Sequence, residues 1–232
     1  MRWCFEAVAW LLWRRLESCD GVDVSKYRGI VDWPAVKASG SVRFAYAEAS
    51  HGTDPDGQYD DNCSGCTAAQ IPFGAFHFLL FTEDVGTQAG TFLNQISKGF
   101  GMLRPAVDVE SRSDTDKRRA GTPEMTPSKR ATALKAFCEL VEPTTGPLMI
   151  YTNVDYWNVE MAGTDAFSNR SLWIAYPRKC IVPPLPNGWR RWALWQHSFS
   201  GSVPGINAGA PPVDLDRTNG TMSSIIRSNP ER

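Results

Sequence analysis

Pro105-Ala106-Val107-Asp108-Val109-Glu110 is the stretch on which the fold turns. Apolar and acidic residues alternate here with a period of two. As a strand, the segment sends Asp108 and Glu110 to one face and Val107 and Val109 to the other. The valine face calls for a covering layer of helices, and the acid face calls for water. The carboxyl end of a barrel strand, where loops build a site, meets both demands.

Working outward, further apolar runs at 21–25, 42–49, 73–79, 147–152, 172–176, 192–198 and 213–216 read as strands. Between the early ones lie helical patterns. Val85, Ala89, Phe92, Leu93 and Ile96 follow helical spacing, as do Leu134, Phe137, Cys138 and Val141. The second of these segments is opened by Thr126-Pro127 and is expected to stop at Pro143. Shorter helices are expected at 35–39 and around 67–70. The later connections, 177–189 and 201–212, are rich in Pro and Gly and read as loops. The expectation is an α/β protein, an irregular TIM-like barrel forming a single domain over residues 20–222. Residues 1–19 read as an N-terminal extension and 223–232 as a C-terminal tail.

Composition narrows the function. With 24 Lys+Arg against 25 Asp+Glu, and a formal net charge of −1, the chain lacks the basic excess of a nucleic-acid binder. Nine tryptophans offer faces that stack on sugar rings, although core filling also uses them. Six cysteines (Cys4, Cys19, Cys63, Cys66, Cys138, Cys180) permit disulfides without requiring them. Cys63-Ser64-Gly65-Cys66 lacks a second such pair, and His51, His77 and His197 are scattered. A helix-borne pair of thiols, free or bridged, is therefore expected there rather than a metal site. At the N-terminus, Ala7-Val8-Ala9-Trp10-Leu11-Leu12-Trp13 hints at an export signal. Glu6 and Arg14-Arg15 interrupt it, and the run is too short to span a membrane.

Four acids fall at the ends of expected strands: Asp23, Asp108, Glu110 and Asp214. Any one of them alone reads as a helix cap or an arginine partner. Together in one barrel mouth they raise each other's pKa values, and that suits glycoside hydrolysis. One carboxyl must keep a proton for the leaving oxygen while others stabilise a sugar cation. His77, inside an aromatic run, reads as a hydrogen-bonded core residue rather than a catalyst. Ser50 and His51 face opposite sides of their strand and make no nucleophile–base pair.

Nine stretches occur in a telling order. They are G-V-D-V-S (21–25), I-V-D-W-P-A-V-K (30–37), F-G-A-F-H-F (73–78), P-A-V-D-V-E (105–110), Y-T-N (151–153), L-W-I-A-Y (172–176), W-A-L-W-Q-H-S (192–198), V-P-G-I (203–206) and V-D-L-D-R-T-N-G (213–220). The set resembles glycoside hydrolase family 25, the Chalaropsis-type lysozymes or N-acetylmuramidases, over about residues 20–220. The resemblance implies five βα units followed by three further strands. It casts Glu110 as general acid, Asp108 as its assisting carboxylate, and Asp23 and Asp214 as the other active-site acids. Tyr151, Trp195 and Gln196 would line the sugar groove. Asp216 stands where the family more often has Asn, and is expected to be a structural neighbour of Asp214.

Departures from the family pattern fall around the groove. Its Lys-Ala-Thr-Glu-Gly is Glu48-Ala49-Ser50-His51-Gly52 here, so a groove-side Glu becomes His51. Trp-Gln-Gly becomes Tyr27-Arg28-Gly29, and Tyr-His-Phe becomes Phe76-His77-Phe78, which removes a hydroxyl from the substrate-binding position of Phe76. The implied activity is hydrolysis of the β-1,4 bond between N-acetylmuramic acid and N-acetylglucosamine in peptidoglycan. A barrel glycosidase acting on chitin and a barrel that binds wall glycan without cutting it are the competing readings. Neither a metal nor an organic cofactor is expected. The expected partner is the glycan strand alone, bound by a monomer outside the cell or at the wall, without nucleic acid and without membrane insertion.

Overall fold

The computed structural model describes residues 20–97, 99, 101–110, 125–206 and 212–227. The expected N-terminal extension, with Cys4 and Cys19, and residues 228–232 of the expected tail lie outside them.

The chain runs β1 (Asp20–Val24), α1 (Trp33–Ser39), β2 (Phe44–His51), β3 (Asp54–Pro55), α2 (Tyr59–Ala68), β4 (Phe73–Phe78), α3 (Val85–Ile96), β5 (Ala106–Asp108), α4 (Pro127–Thr145), β6 (Met149–Thr152), α5 (Val154–Glu160), β7 (Leu172–Ala175), β8 (Leu194–Gly201) and β9 (Val213–Thr218). The strands close in the order β1-β9-β8-β7-β6-β5-β4-β2, with β1 pairing back to β2 and β3 an additional short edge on β2. This is the expected irregular barrel, five βα units and then three strands. Its seam is mixed: β9 runs antiparallel to both β8 and β1, whereas the strands from β1 round to β8 pair in parallel.

Local chemistry sets the helix ends. Asp32 caps α1 through the Ala35 N–H at 3.0 Å, and Asp84 caps α3 through the Thr87 N–H at 2.8 Å. Thr126 caps α4 ahead of Pro127, as its sequence predicts. Pro143 does not stop that helix. It sits in the last turn, where its missing N–H leaves only one intrahelical bond unmade. The helix ends instead at Gly146, whose φ of 76° only glycine adopts cheaply. The helix expected around 67–70 begins eight residues earlier, at Tyr59. Its first turns, Tyr59-Asp60-Asp61-Asn62, bury only Tyr59 and Asn62 and so carry no apolar stripe to read. Cys63 and Cys66 both lie on this helix as free thiols.

Alternation along the strands separates two cores. Outward residues such as Val22, Ala47, Ala75, Val107, Ile150, Leu172 and Ile174 pack beneath the helices with Phe92, Leu134, Phe137 and Trp157. Inward residues Phe44, Tyr46, Ala106, Met149 and Trp173 fill the barrel. Gly21 faces inward, where a Cβ would collide with the Phe44 ring. The amino-terminal end of the barrel is plugged by Ile225, which is fully buried beside Leu103 and accepts from the Arg104 N–H at 2.7 Å. The packed structure continues through the Leu103–Ile226 bridge to Arg227, whose N–H reaches the Met102 carbonyl at 3.0 Å.

Candidate active site

At the carboxyl ends of the parallel strands, Asp23, Glu48, Asp108, Glu110 and Asp214 open on one cleft of about 340 Å³. β1 and β9 pair so that Asp23 lies directly opposite Asp214. Asp108 is the last residue of β5, in register with Phe78 of β4 and Tyr151 of β6. β5 is shorter than its sequence suggests, and Glu110 lies two residues beyond it. The Val109 N–H still reaches the Tyr151 carbonyl at 2.9 Å, so the chain stays extended and carries Glu110 into the cleft.

A chain of hydrogen bonds fixes the floor. The Tyr151 hydroxyl donates to Gln196 Oε1 at 2.7 Å, and Gln196 Nε2 donates to Asp23 Oδ2 at 2.7 Å. The Trp173 indole donates to Asp216 Oδ1 at 2.8 Å, while among the described residues no N–H or O–H donor reaches Asp216 Oδ2. The Asp216 carboxyl is fully buried beside the Asp23 carboxyl, close enough for the two to share a hydrogen bond. Two ionised carboxylates cannot make such a bond, so one of the pair keeps a proton. Burial pushes Asp216 well above the usual carboxylate range, and the Asp23 charge adds to the rise. Asp23 is raised by burial and held down by the donors from Gln196 and Asp216. Burial thus favours the protonated form of Asp216 over that of Asp23. Asp216 lies two residues along β9 from Asp214, on the same inward face, and a protonated Asp216 can donate as an Asn would.

Burial also pushes Asp214 up to about 7, with Asp23 and Glu110 adding to the rise and the Arg28 guanidinium, 3.4 Å away, opposing it. Arg28, one of the departures, thus moderates the electrostatics of the cleft. Burial raises the Tyr151 phenol as well, so Tyr151 stays a donor to Gln196.

The structure separates the residues expected to line the groove. Tyr151, Gln196 and Phe76 do line it, with Phe76 edge-on to Trp173 at 6.1 Å. Trp195 does not. In β8 it alternates with Leu194 and Gln196 and so points outward. Its indole donates to the Tyr176 carbonyl at 2.9 Å and its ring packs against Trp192. The tryptophan in the cleft is Trp173, which faces inward between the outward Leu172 and Ile174.

Glu48 and His51 both enter the cleft, although residues three apart on a regular strand face opposite sides. The pairing of β2 with β4 slips between Glu48 and Ser50, and this bulge reverses the parity. His51 Nδ1 then meets Glu48 Oε1 at 3.0 Å, and its ring stacks on Phe78 at 4.3 Å. Glu48 was the acid missed by reading the sequence, though its spacing of two from Tyr46 and four from Phe44 marks the same inward face.

His77 is outward and fully buried, as its aromatic surroundings suggest. The Gln88 side chain donates to the Leu80 carbonyl, which turns its oxygen toward His77 Nε2 at 3.2 Å. His77 therefore donates from Nε2 and accepts the Ser50 hydroxyl at Nδ1, 2.8 Å away. Its ring stacks on Phe137 at 4.6 Å, and burial pushes its pKa down to about 3, so it stays neutral.

Residues 22–206 match the family model described as glycosyl hydrolases family 25. The chain belongs to this family. It is 27% identical over 211 residues to lysozyme M1 of Streptomyces globisporus, covering 89% of this chain and 69% of that protein. It is 24% identical over 195 residues to an N,O-diacetylmuramidase of Chalaropsis, covering 81% and 91%. The fold is that of a bacterial lysozyme from Streptomyces coelicolor, with a TM-score of 0.75 at 24% identity, covering 89% and 94% of the two chains. This family 25 enzyme is thus a glycoside hydrolase, with a cleft of acids at the end of its barrel where such chemistry is done.

Proposed function

We propose that this family 25 enzyme is a lysozyme that cleaves the β-1,4 bond between N-acetylmuramic acid and N-acetylglucosamine in peptidoglycan, with Glu110 as general acid. The observation that carries the reading is the opening of Asp108 and Glu110 onto the same cleft as Asp23 and Asp214. Relatives named lysozyme and N,O-diacetylmuramidase support the substrate.

In this reading Glu110 protonates the glycosidic oxygen as the bond to the sugar C1 breaks. Asp108 orients the substrate's N-acetyl group so that its carbonyl oxygen closes on C1. Water then adds at C1, giving a proton to the Glu110 carboxylate, and the C1–O bond to the acetamide breaks to restore it. The Asp23–Asp216 pair holds one proton between two carboxyls, giving a single negative charge set close to the developing sugar cation. Tyr151 and Gln196 hold that pair in place. The reaction asks only for a proton donor, a charge stabiliser and water. The enzyme is proposed to act as a monomer, outside the cell or at the wall.

The test is to digest purified peptidoglycan and reduce the new chain ends with borohydride. The expected product is reduced N-acetylmuramic acid. Reduced N-acetylglucosamine would overturn the bond assignment. Cleavage of chitin oligosaccharides without cleavage of peptidoglycan would replace the substrate.

A further inference from the structure

At the end of the barrel opposite the acids lies a second cavity, of about 510 Å³, larger than the cleft. It is lined by the segments that lead into β7 and β8, up to Leu172, the first residue of β7, and Ala193, the residue just before β8. The cleft, by contrast, takes Gln196 from the far side of the same sheet region.

The two ends also differ in sign. Three arginines, Arg170, Arg190 and Arg191, line the second cavity against a single acid, Asp165. Arg170 is already committed, donating to Glu142 at 2.8 and 2.9 Å and lying over the Phe167 ring. Arg190 and Arg191 are exposed, and neither guanidinium has a hydrogen bond or ion pair among the described residues. The half-buried Trp192 presents an indole N–H with no acceptor among those residues, and Ser168 and Ser171 add hydroxyls.

Adjacent guanidiniums around one hollow repel each other, and an anion in the hollow relieves that repulsion. A guanidinium fork matches the oxygens of a phosphate, and indole and hydroxyl donors suit the hydroxyls of a polyol or sugar. We propose that this basic pocket is a second binding site, for a phosphodiester-linked polyol or sugar polymer of the cell wall. The barrel then holds the wall by its basic end while the acidic cleft cuts glycan. The proposal rests on the peptidoglycan reading only for where the polymer is met.

The probe is a short glycerol-phosphate oligomer titrated onto the full chain carrying Glu110→Gln, so that binding is read without turnover. Calorimetry is expected to give saturable binding that weakens as salt rises. The added double change Arg190→Ala/Arg191→Ala is expected to weaken it about tenfold or more. Both arginines are exposed, so the melting temperature should stay unchanged. Absence of saturable binding, or binding indifferent to the double change, would overturn the proposal. Tighter binding of a muramyl peptide than of the phosphate oligomer at this pocket would overturn the phosphodiester assignment in favour of carboxylates. Cleavage of short glycans by the Arg190→Ala/Arg191→Ala enzyme with Glu110 intact should match that of the parent, which separates failure of this site from failure of the glycosidase reading.

Discussion

The two faces of the barrel strands obey different rules. Outward residues beneath the helices are mostly apolar; where His77 breaks the pattern, Ser50 and Gln88 satisfy both of its nitrogens and burial keeps it neutral. Inward residues change character along each strand. Phe44, Tyr46, Met149 and Leu194 plug the amino-terminal part, while Glu48, Tyr151 and Gln196 follow toward the mouth. On the outer face beneath the helices, as at His77, a polar group is buried and neutral, and serves stability. A polar group on the inner face, near the mouth, is strained by its neighbours' charge and serves chemistry. Position on the strand and parity, more than residue type, decide which of the two a side chain does.

Substitutions on the two faces should therefore separate cleanly. Glu110→Gln is expected to lower turnover on peptidoglycan by about a thousandfold, the scale of a lost general acid, with the melting temperature unchanged. Asp216→Leu removes the donor aimed at Asp23 and should lower kcat by about tenfold to a hundredfold, whereas Asp216→Asn keeps a donor there and should retain most of the rate. If Asn and Leu behave alike, the proton assigned to Asp216 is misplaced. The outer-face change His77→Ala is expected to lower stability by about 2–4 kcal/mol, read from denaturant unfolding, while kcat/KM of the folded enzyme holds. A comparable loss in kcat/KM would erase the distinction between the faces. Between the tryptophans, Trp173→Phe strips Asp216 of its indole donor and should lower kcat/KM about tenfold. Trp195→Phe should leave kcat/KM unchanged.

The smallest effect is one of pH. Asp214 has a folded pKa of about 7, well above its unfolded value, so the folded state binds the extra proton between those limits. Stability tied to that proton is present in acid and is lost as pH rises through 7. Asp214→Asn should then melt higher than the parent above pH 7 and gain nothing in acid.

Much of this contrast was legible in the alternation of Val107, Asp108 and Val109, and in the ordered acids at the strand ends. The same alternation read across 194–196 would have turned Trp195 outward; a tryptophan beside a cleft glutamine invites a sugar-stacking role that its strand parity forbids. Glu48 and His51 were harder. A bulge is a register slip between two strands, and nothing within residues 48–51 announces it. The start of α2 was hidden because a helix lying with few buried residues needs no apolar stripe. The proton between Asp23 and Asp216 depends on a contact across two strands almost two hundred residues apart, which no local pattern encodes.

The claim that Glu110 is the proton donor is tested most directly by the leaving group. The Glu110→Gln enzyme would be assayed on a dinitrophenyl glycoside, whose phenolate departs without a proton, and on peptidoglycan, whose sugar alkoxide needs one. The account predicts near-parental release of dinitrophenol alongside the large loss on the wall. An equal loss on both substrates would assign Glu110 a role other than general acid.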